Sequence, residues 1–258
     1  MSPAPLDLSG RVAIVTGGTR GVGRGITARL LEAGCRVVAC GRTPPERPVA
    51  EGANEALFVQ ADVREVEQID RVIAAARERF GRLDLLVNNA GGAPSVAAAT
   101  ASPRFSEGII RLNLLAPLLF AQRANSVMQE QPEGGSIVFI TSVSGLRPSP
   151  GTAAYGAAKA GLVSLAGSLA VEWAPKVRTN CVAAGLVRTE LSHLHYGDEQ
   201  GLARVSATIP LGRMASPRDI GDACLFLASP LASYVSGSTL LVHGGGERPA
   251  YLGAAQRE

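Results

Sequence analysis

The chain has 258 residues, 46% of them apolar and 18% charged, with a formal net charge of +3. That length suits one large α/β domain, and no Ser/Gly-rich linker, composition shift or internal repeat divides it, so a single domain is expected over 1–258. So small a charge, carried by scattered arginines that interleave with no aromatics, excludes a nucleic-acid groove. The cysteines Cys35, Cys40, Cys181 and Cys224 form no CxxC pair and have no histidine at metal spacing. No metal site is therefore expected, and buried thiols in a reducing, cytoplasmic setting are. Met1 to Gly10 has neither the basic start nor the apolar core of a secretory leader.

Val12-Ala13-Ile14-Val15 reads as a buried parallel strand. After the cluster Thr16-Gly17-Gly18-Thr19-Arg20-Gly21-Val22-Gly23, Val22, Ile26, Leu30 and Ala33 recur at helical spacing up to Gly34. Strand, glycine turn and helix form the setting in which N–H groups at a helix N-terminus hold a pyrophosphate. A Cβ on such glycines would keep the phosphates from the backbone. The spacing is TGxxxGxG, not GxGxxG.

Arg36 to Cys40 predicts a second strand ending in Gly41-Arg42. A site that prefers NAD places a carboxylate about here for the ribose 2′-hydroxyl. This chain instead offers Gly41 with two guanidiniums, Arg42 and Arg20, which suit a 2′-phosphate. NADP(H) is the expected cofactor, with NAD(H) as the alternative. Thr43 to Asn54, broken by Pro44, Pro45 and Pro48, is expected to be a loop.

A third strand over Leu57 to Gln60 leads into Ala61-Asp62-Val63, and Glu65 to Phe80 has helical periodicity. Leu83 to Val87 makes a fourth strand ending in Asn88-Asn89-Ala90-Gly91; this turn suits a ligand crevice or a plain capped turn equally. Ser102-Pro103 opens a long helix. Within it, Asn113 between Leu112 and Leu114 must find partners, either local or in a site. Gly135 to Thr141 is a fifth strand, with Ser142 at its carboxyl end.

The helix predicted over Gly151 to Trp173 carries Tyr155 and Lys159 on one face, four residues apart. A nearby cation favours the phenolate, drawing the phenol from about 10 toward neutrality and readying it for proton transfer. The chain has 23 arginines but only two lysines, Lys159 and Lys176, so a lysine at 159 points to chemistry. The run is about as long and apolar as a membrane span, yet a lysine and a tyrosine sit inside it. A buried helix at a subunit contact is expected, hence a dimer or tetramer and no membrane partner. Val177 to Val182 is the sixth strand, ending at Ala183-Ala184-Gly185. Thr189 to Pro210 is polar and irregular, a lid; Ser216-Pro217 caps a helix to Leu227, and Ser238 to Val242 is the seventh strand. Strands and helices alternate, which predicts an α/β, doubly wound parallel sheet of about seven strands flanked by helices.

The motifs TGGTRGVG, CGR, ADV and NNAG, the helix asparagine, a serine thirteen residues before the tyrosine, and YGAAK follow one another along the chain. Together they resemble the short-chain dehydrogenase/reductase family, over roughly Leu8 to Gly246. The resemblance implies a Rossmann-like domain that transfers hydride between nicotinamide and a carbonyl or secondary alcohol. It makes Tyr155 the general acid/base and Lys159 the holder of the nicotinamide ribose. Ser142 would bond the substrate oxygen, and Asn113 would position a water linking Lys159 to solvent. Gly17, Gly21 and Gly23 would face the pyrophosphate, with Thr19, Arg20 and Val22 in the same turn. Gly41 and Arg42 would lie at the 2′-phosphate and Asp62 and Val63 at the adenine. Asn89, Ala90 and Gly91 would flank the nicotinamide side. Gly185, Val187 and Thr189 complete the set, the last two near the carboxamide.

The expected substrate is a small carbonyl or alcohol. One alternative is a 3-oxoacyl group on a carrier protein, met by Arg147, Arg188 and Arg204; another is a non-catalytic NADP(H)-sensing protein. Three departures from the family pattern stand out. Ala184-Gly185 replaces Pro-Gly, which predicts a looser turn; the loop after Arg42 is proline-broken where a short helix is usual; and His243-Gly244-Gly245-Gly246 replaces Asp-Gly-Gly before an unmatched tail, 247–258.

Overall fold

The structure, a computed structural model, describes residues 6–247, 249 and 251. Residues 1–5 and most of the tail read above lie outside that description. β1 (Val12–Thr16), β2 (Arg36–Gly41), β5 (Leu57–Gln60), β6 (Leu85–Asn88), β7 (Gly135–Ser142), β8 (Val177–Ala184) and β9 (Thr239–Val242) form one sheet, in the order β5-β2-β1-β6-β7-β8-β9. Every pairing in it is parallel.

Alternation along β1 explains why both faces are covered. Successive side chains of a strand point to opposite faces. Val12 and Ile14 enter one core with Ile69, Phe120, Phe139 and Leu162. Ala13 and Val15 enter the other with Ile26, Leu30, Val138 and Ile220. The first core is supplied by α2 (Val66–Phe80), α4 (Ala116–Glu130) and α5 (Ala153–Glu172), the second by α1 (Gly21–Glu32) and α8 (Pro217–Ala228). α1 and α8 pack so closely that a Cβ on Gly25 would lie 2.4 Å from Pro217 Cβ. The strand order reverses between β1 and β6, and in an open α/β sheet the crevice at that reversal is where ligands bind.

The seven strands fall where the sequence places them, with ends shifted by a residue or two. Three local differences have clear causes. The expected loop over 43–54 contains a short antiparallel hairpin, β3 (Ala50–Glu51) with β4 (Asn54–Glu55), turned at Gly52 with φ +57°. The lid segment is ordered into two helices, α6 (His193–Tyr196) and α7 (Glu199–Ala207); α7 is capped by Asp198 Oδ1 accepting from Gly201 N–H at 3.0 Å. The turn after β8 is not looser. Ala184 stays in register between Ser142 and Val242, and Gly185 N–H donates to Val242 O at 2.9 Å.

The long helix is α3 (Pro103–Ile110) continued into α4 through a π-turn at Arg111–Leu115, a widening often found at functional sites. α5, with a mean hydropathy of 1.3, passes for a membrane span by length and composition, but one side of it packs on the sheet and holds Lys159 at 3% exposure. Its opposite side is uncovered: Ala157, Ala160, Ser164, Ser168 and Val171 are exposed, so burial within the chain is only half of what apolarity all round suggested. All four cysteines are buried free thiols, and burial pushes Cys40 and Cys181 up to about 12.

Candidate active site

Three chain segments meet at the carboxyl edge of β1, β6 and β7. At the end of β1, Gly17 (φ +63°) and Gly21 (φ +47°) take left-handed conformations that favour glycine. Gly23 is required by packing: a Cβ there would lie 2.1 Å from Gly17 O and 2.5 Å from Asn89 Nδ2. Thr19 is buried, Val22 is half-buried, and Arg20 is the extended N-cap of α1, its own side chain making no capping bond.

The turn after β6 is stitched to this glycine turn. Asn89 Nδ2 donates to Thr16 O at 2.9 Å, while the N–H groups of Asn89 and Ala90 both donate to Thr16 Oγ1 at 2.9 Å. The Asn89 side chain therefore holds the two crevice walls together. Asp62, after β5, is bound by Arg64 at 2.5 Å, and that hydrogen bond keeps its carboxyl below the usual range, with Arg42 as a further positive neighbour. Val63 is buried beside it in the first core.

Asn113 finds one partner within its own helix and two bonds across the crevice at Gly92. Its Nδ2 donates to Ile109 O and Gly92 O, both at 3.0 Å, and its Oδ1 accepts from Gly92 N–H at 2.9 Å. The π-turn thereby pins the Gly91-Gly92 backbone beside Lys159. A Cβ on Gly91 would stand 3.3 Å from Lys159 Nζ.

Ser142 ends β7. Its Oγ accepts from Ser144 N–H at 3.1 Å, and it stands near enough to the Tyr155 phenol to lower that group's pKa. Gly145 and Gly156, which sequence reasoning passed over, make this approach possible. A Cβ on Gly145 would lie 2.6 Å from Ala160 N, and one on Gly156 would lie 2.7 Å from Ser144 O. The signal was present as a glycine three residues after the serine and another directly after the tyrosine. Gly145→Ala is expected to lift the serine loop off α5 and lower kcat about 100-fold with the fold retained, since misplacement by about 1 Å costs that much; steady-state kinetics alongside circular dichroism will check it.

Lys159 lies beside Tyr155, as their four-residue spacing predicts. Its Nζ donates to Ile140 O at 2.8 Å and lies 5.5 Å from the centroid of the Tyr155 ring, over the ring and not on its hydroxyl. In the protein alone, burial raises the phenol's pKa, opposed by the neighbouring Ser142 side chain. It is the lysine that falls, to about 8, driven by burial and opposed by Cys181. The geometry can present a neutral phenol, primed by a serine hydroxyl, with an ammonium behind its ring.

Residues 17–247 match the family described as enoyl-(acyl carrier protein) reductase. The chain is also 35% identical over 250 residues to 3β-hydroxysteroid dehydrogenase 1 of Eggerthella lenta, a match covering 93% of this chain and 94% of that one. The chain belongs to the short-chain dehydrogenase/reductase family. A 3-oxoacyl-[acyl-carrier-protein] reductase of Synechocystis is 34% identical over 246 residues, covering 92% of this chain and 97% of that protein. The crystal structure of a putative short-chain alcohol dehydrogenase from Sinorhizobium meliloti superimposes with a TM-score of 0.85 at 35% identity, covering 94% and 98% of the two chains.

Members of this family are oxidoreductases that act on CH–OH and C=O groups with NAD(P), and the crevice fits such a cofactor. Gly21 N–H, at the start of α1, already donates to an anion, Glu190 Oε1, 2.9 Å away. When bound, the dinucleotide supplies the hydride.

Proposed function

We propose that the protein is an NADP(H)-preferring reductase or dehydrogenase of an apolar carbonyl or secondary alcohol, with Tyr155 as proton donor and acceptor. The observation that carries this reading is the convergence of Ser142, Tyr155 and the buried Lys159, whose Nζ lies 5.5 Å from the centre of the tyrosine ring while Ser142 is near enough to the phenol to act on its pKa. Two hydroxyls aimed at one point polarise a substrate oxygen where charge develops. Lys159 favours that charge and, with the phenol, holds the nicotinamide ribose. Asn113 acts by fixing the backbone next to Lys159.

For the cofactor set, Gly17, Thr19, Gly21, Val22 and Gly23 serve the pyrophosphate, and Asp62 and Val63 serve the adenine. Asn89, Ala90, Gly91, Gly185, Val187 and Thr189 surround the nicotinamide. Arg20 and Arg42 flank Gly41 at the end of β2, and both are exposed, which supports a 2′-phosphate there.

The substrate class is supported by a cavity of about 260 Å³ that begins at Val143, the residue after Ser142, and is walled mainly by Leu146, Leu186, Ile209 and Leu241, with Arg147 and His243 at its polar side. A carrier-borne acyl group is favoured less, because two of the arginines that would meet an acidic partner are already engaged: Arg147 by Glu247, and Arg188 by Glu199 at 2.8 Å. A panel of carbonyls and alcohols run with NADPH and NADH tests both halves of the proposal. Turnover confined to acyl-carrier substrates would overturn the first, and an NADH preference the second.

The pH dependence follows from the signs of the two shifts. The phenol stays protonated over the working range because burial raises its pKa. The lysine loses its charge above about 8. For reduction, kcat/KM is therefore expected to fall as pH rises through about 8, a limb that belongs to Lys159. A flat profile between about pH 7 and about 9.5 would contradict it. The uncovered small-residue face of α5 supports a homodimer or homotetramer, which sedimentation will test. The free buried thiols support a reducing, cytoplasmic setting.

A further inference from the structure

We propose that Glu190 is an internal competitor for the cofactor: its carboxylate takes the phosphate seat on α1 when the seat is empty, and must leave it when a dinucleotide binds. This rests on the reading that the glycine turn holds the pyrophosphate.

α1 lacks an anionic or polar cap of its own. Its N-cap, Arg20, makes no side-chain capping bond, and no acidic residue lies in the first turn. A helix N-terminus nonetheless carries partial positive charge and unpaired N–H groups. Glu190, 169 positions further along the chain, supplies the missing anion by accepting from Gly21 N–H at 2.9 Å. The contact lies over the glycine whose missing side chain leaves room for phosphate. A Cβ on Gly21 would meet Thr189 Cγ2 at 3.5 Å and Glu190 Oε1 at 4.0 Å. A carboxylate and a pyrophosphate are both anions and cannot share that N–H, so occupation by one excludes the other.

The backbone that carries this carboxylate is also tied to the lid. Thr189 N–H donates to Ser192 Oγ at 2.8 Å, Ser192 N–H donates to Thr189 O at 3.1 Å, and the ring of His193 meets Glu190 O at 3.0 Å. Ser192 is buried and leads directly into α6. Displacing Glu190 therefore pulls on the start of the lid, which reaches Ile209 on the cavity wall. Cofactor arrival and lid position become a single event, and the empty enzyme keeps its lid latched to the cofactor helix.

The test is dinucleotide binding and hydrogen exchange on the wild type, Glu190→Ala and Glu190→Gln. Glu190 is exposed, so both variants should fold. An exposed anion at a helix N-terminus shifts binding there by about two- to fivefold, so the NADPH Kd of Glu190→Ala is expected to drop by about that factor, with Glu190→Gln in between. Without any cofactor, exchange across 191–207 should be faster in Glu190→Ala than in wild type, and NADPH should bring wild type toward the same pattern. An unchanged or weaker Kd in Glu190→Ala, or identical exchange in the empty proteins, would overturn the competitor role alone. A wild-type chain that binds neither dinucleotide would instead bring down the cofactor reading beneath it.

Discussion

Replacing Tyr155 with phenylalanine is expected to lower kcat about 1000-fold while weakening the dinucleotide by no more than about tenfold, the loss of one hydrogen bond to the ribose. Such a fall corresponds to about 4 kcal/mol of lost transition-state stabilisation. The variant is informative because it removes one atom and little else. Phenylalanine keeps the ring over which Lys159 lies and the packing of the residue at the start of α5. What disappears is the hydroxyl that faces Ser142. Steady-state kinetics with fluorescence titration of NADPH separates the two quantities, and turnover at the wild-type rate would end the assignment of Tyr155 as proton donor.

The second large effect concerns cofactor choice. Gly41→Asp combined with Arg42→Ala is expected to shift the NADP/NAD ratio of kcat/KM by about 100- to 1000-fold toward NAD. Charge-assisted hydrogen bonds to a phosphate contribute about 1.5–3 kcal/mol each, and a new carboxylate repels the phosphate while accepting from a ribose hydroxyl. The substitution fits the space: a Cβ on Gly41 meets nothing nearer than Thr19 Oγ1 at 3.8 Å, and the residue does not have positive φ. Arg20 and Asp62 stay in place, so adenine binding should persist. An unchanged ratio would show that the end of β2 does not read the 2′-position.

Much of this site was legible in one dimension because its parts are local. Tyr155 and Lys159 are one helical turn apart, and the glycine turn lies between a strand and a helix. Periodicity placed all seven strands, since a strand buried on both faces must be a near-continuous apolar run. The failures are equally physical. The lid read as irregular because polar composition says nothing of α6 and α7, whose ends are fixed by capping and by contacts such as Tyr196 packing toward Ile209. The hairpin β3–β4 was hidden by prolines beside it. Ala184 was expected to loosen a turn, but its two neighbouring strands hold it in the ladder.

By itself the sequence determined the elements, the doubly wound parallel sheet and the family, because these depend on side-chain type and spacing along the chain. Tertiary structure alone decided their electrostatics and close approach. Whether an ammonium lowers a phenol's pKa depends on where burial leaves the two groups, and here burial raises the phenol and lowers the lysine. Whether Ser142 can approach Tyr155 depends on Gly145 and Gly156 lying against backbone from another element. That Glu190 caps the cofactor helix follows from a fold that brings residues 21 and 190 within one hydrogen bond.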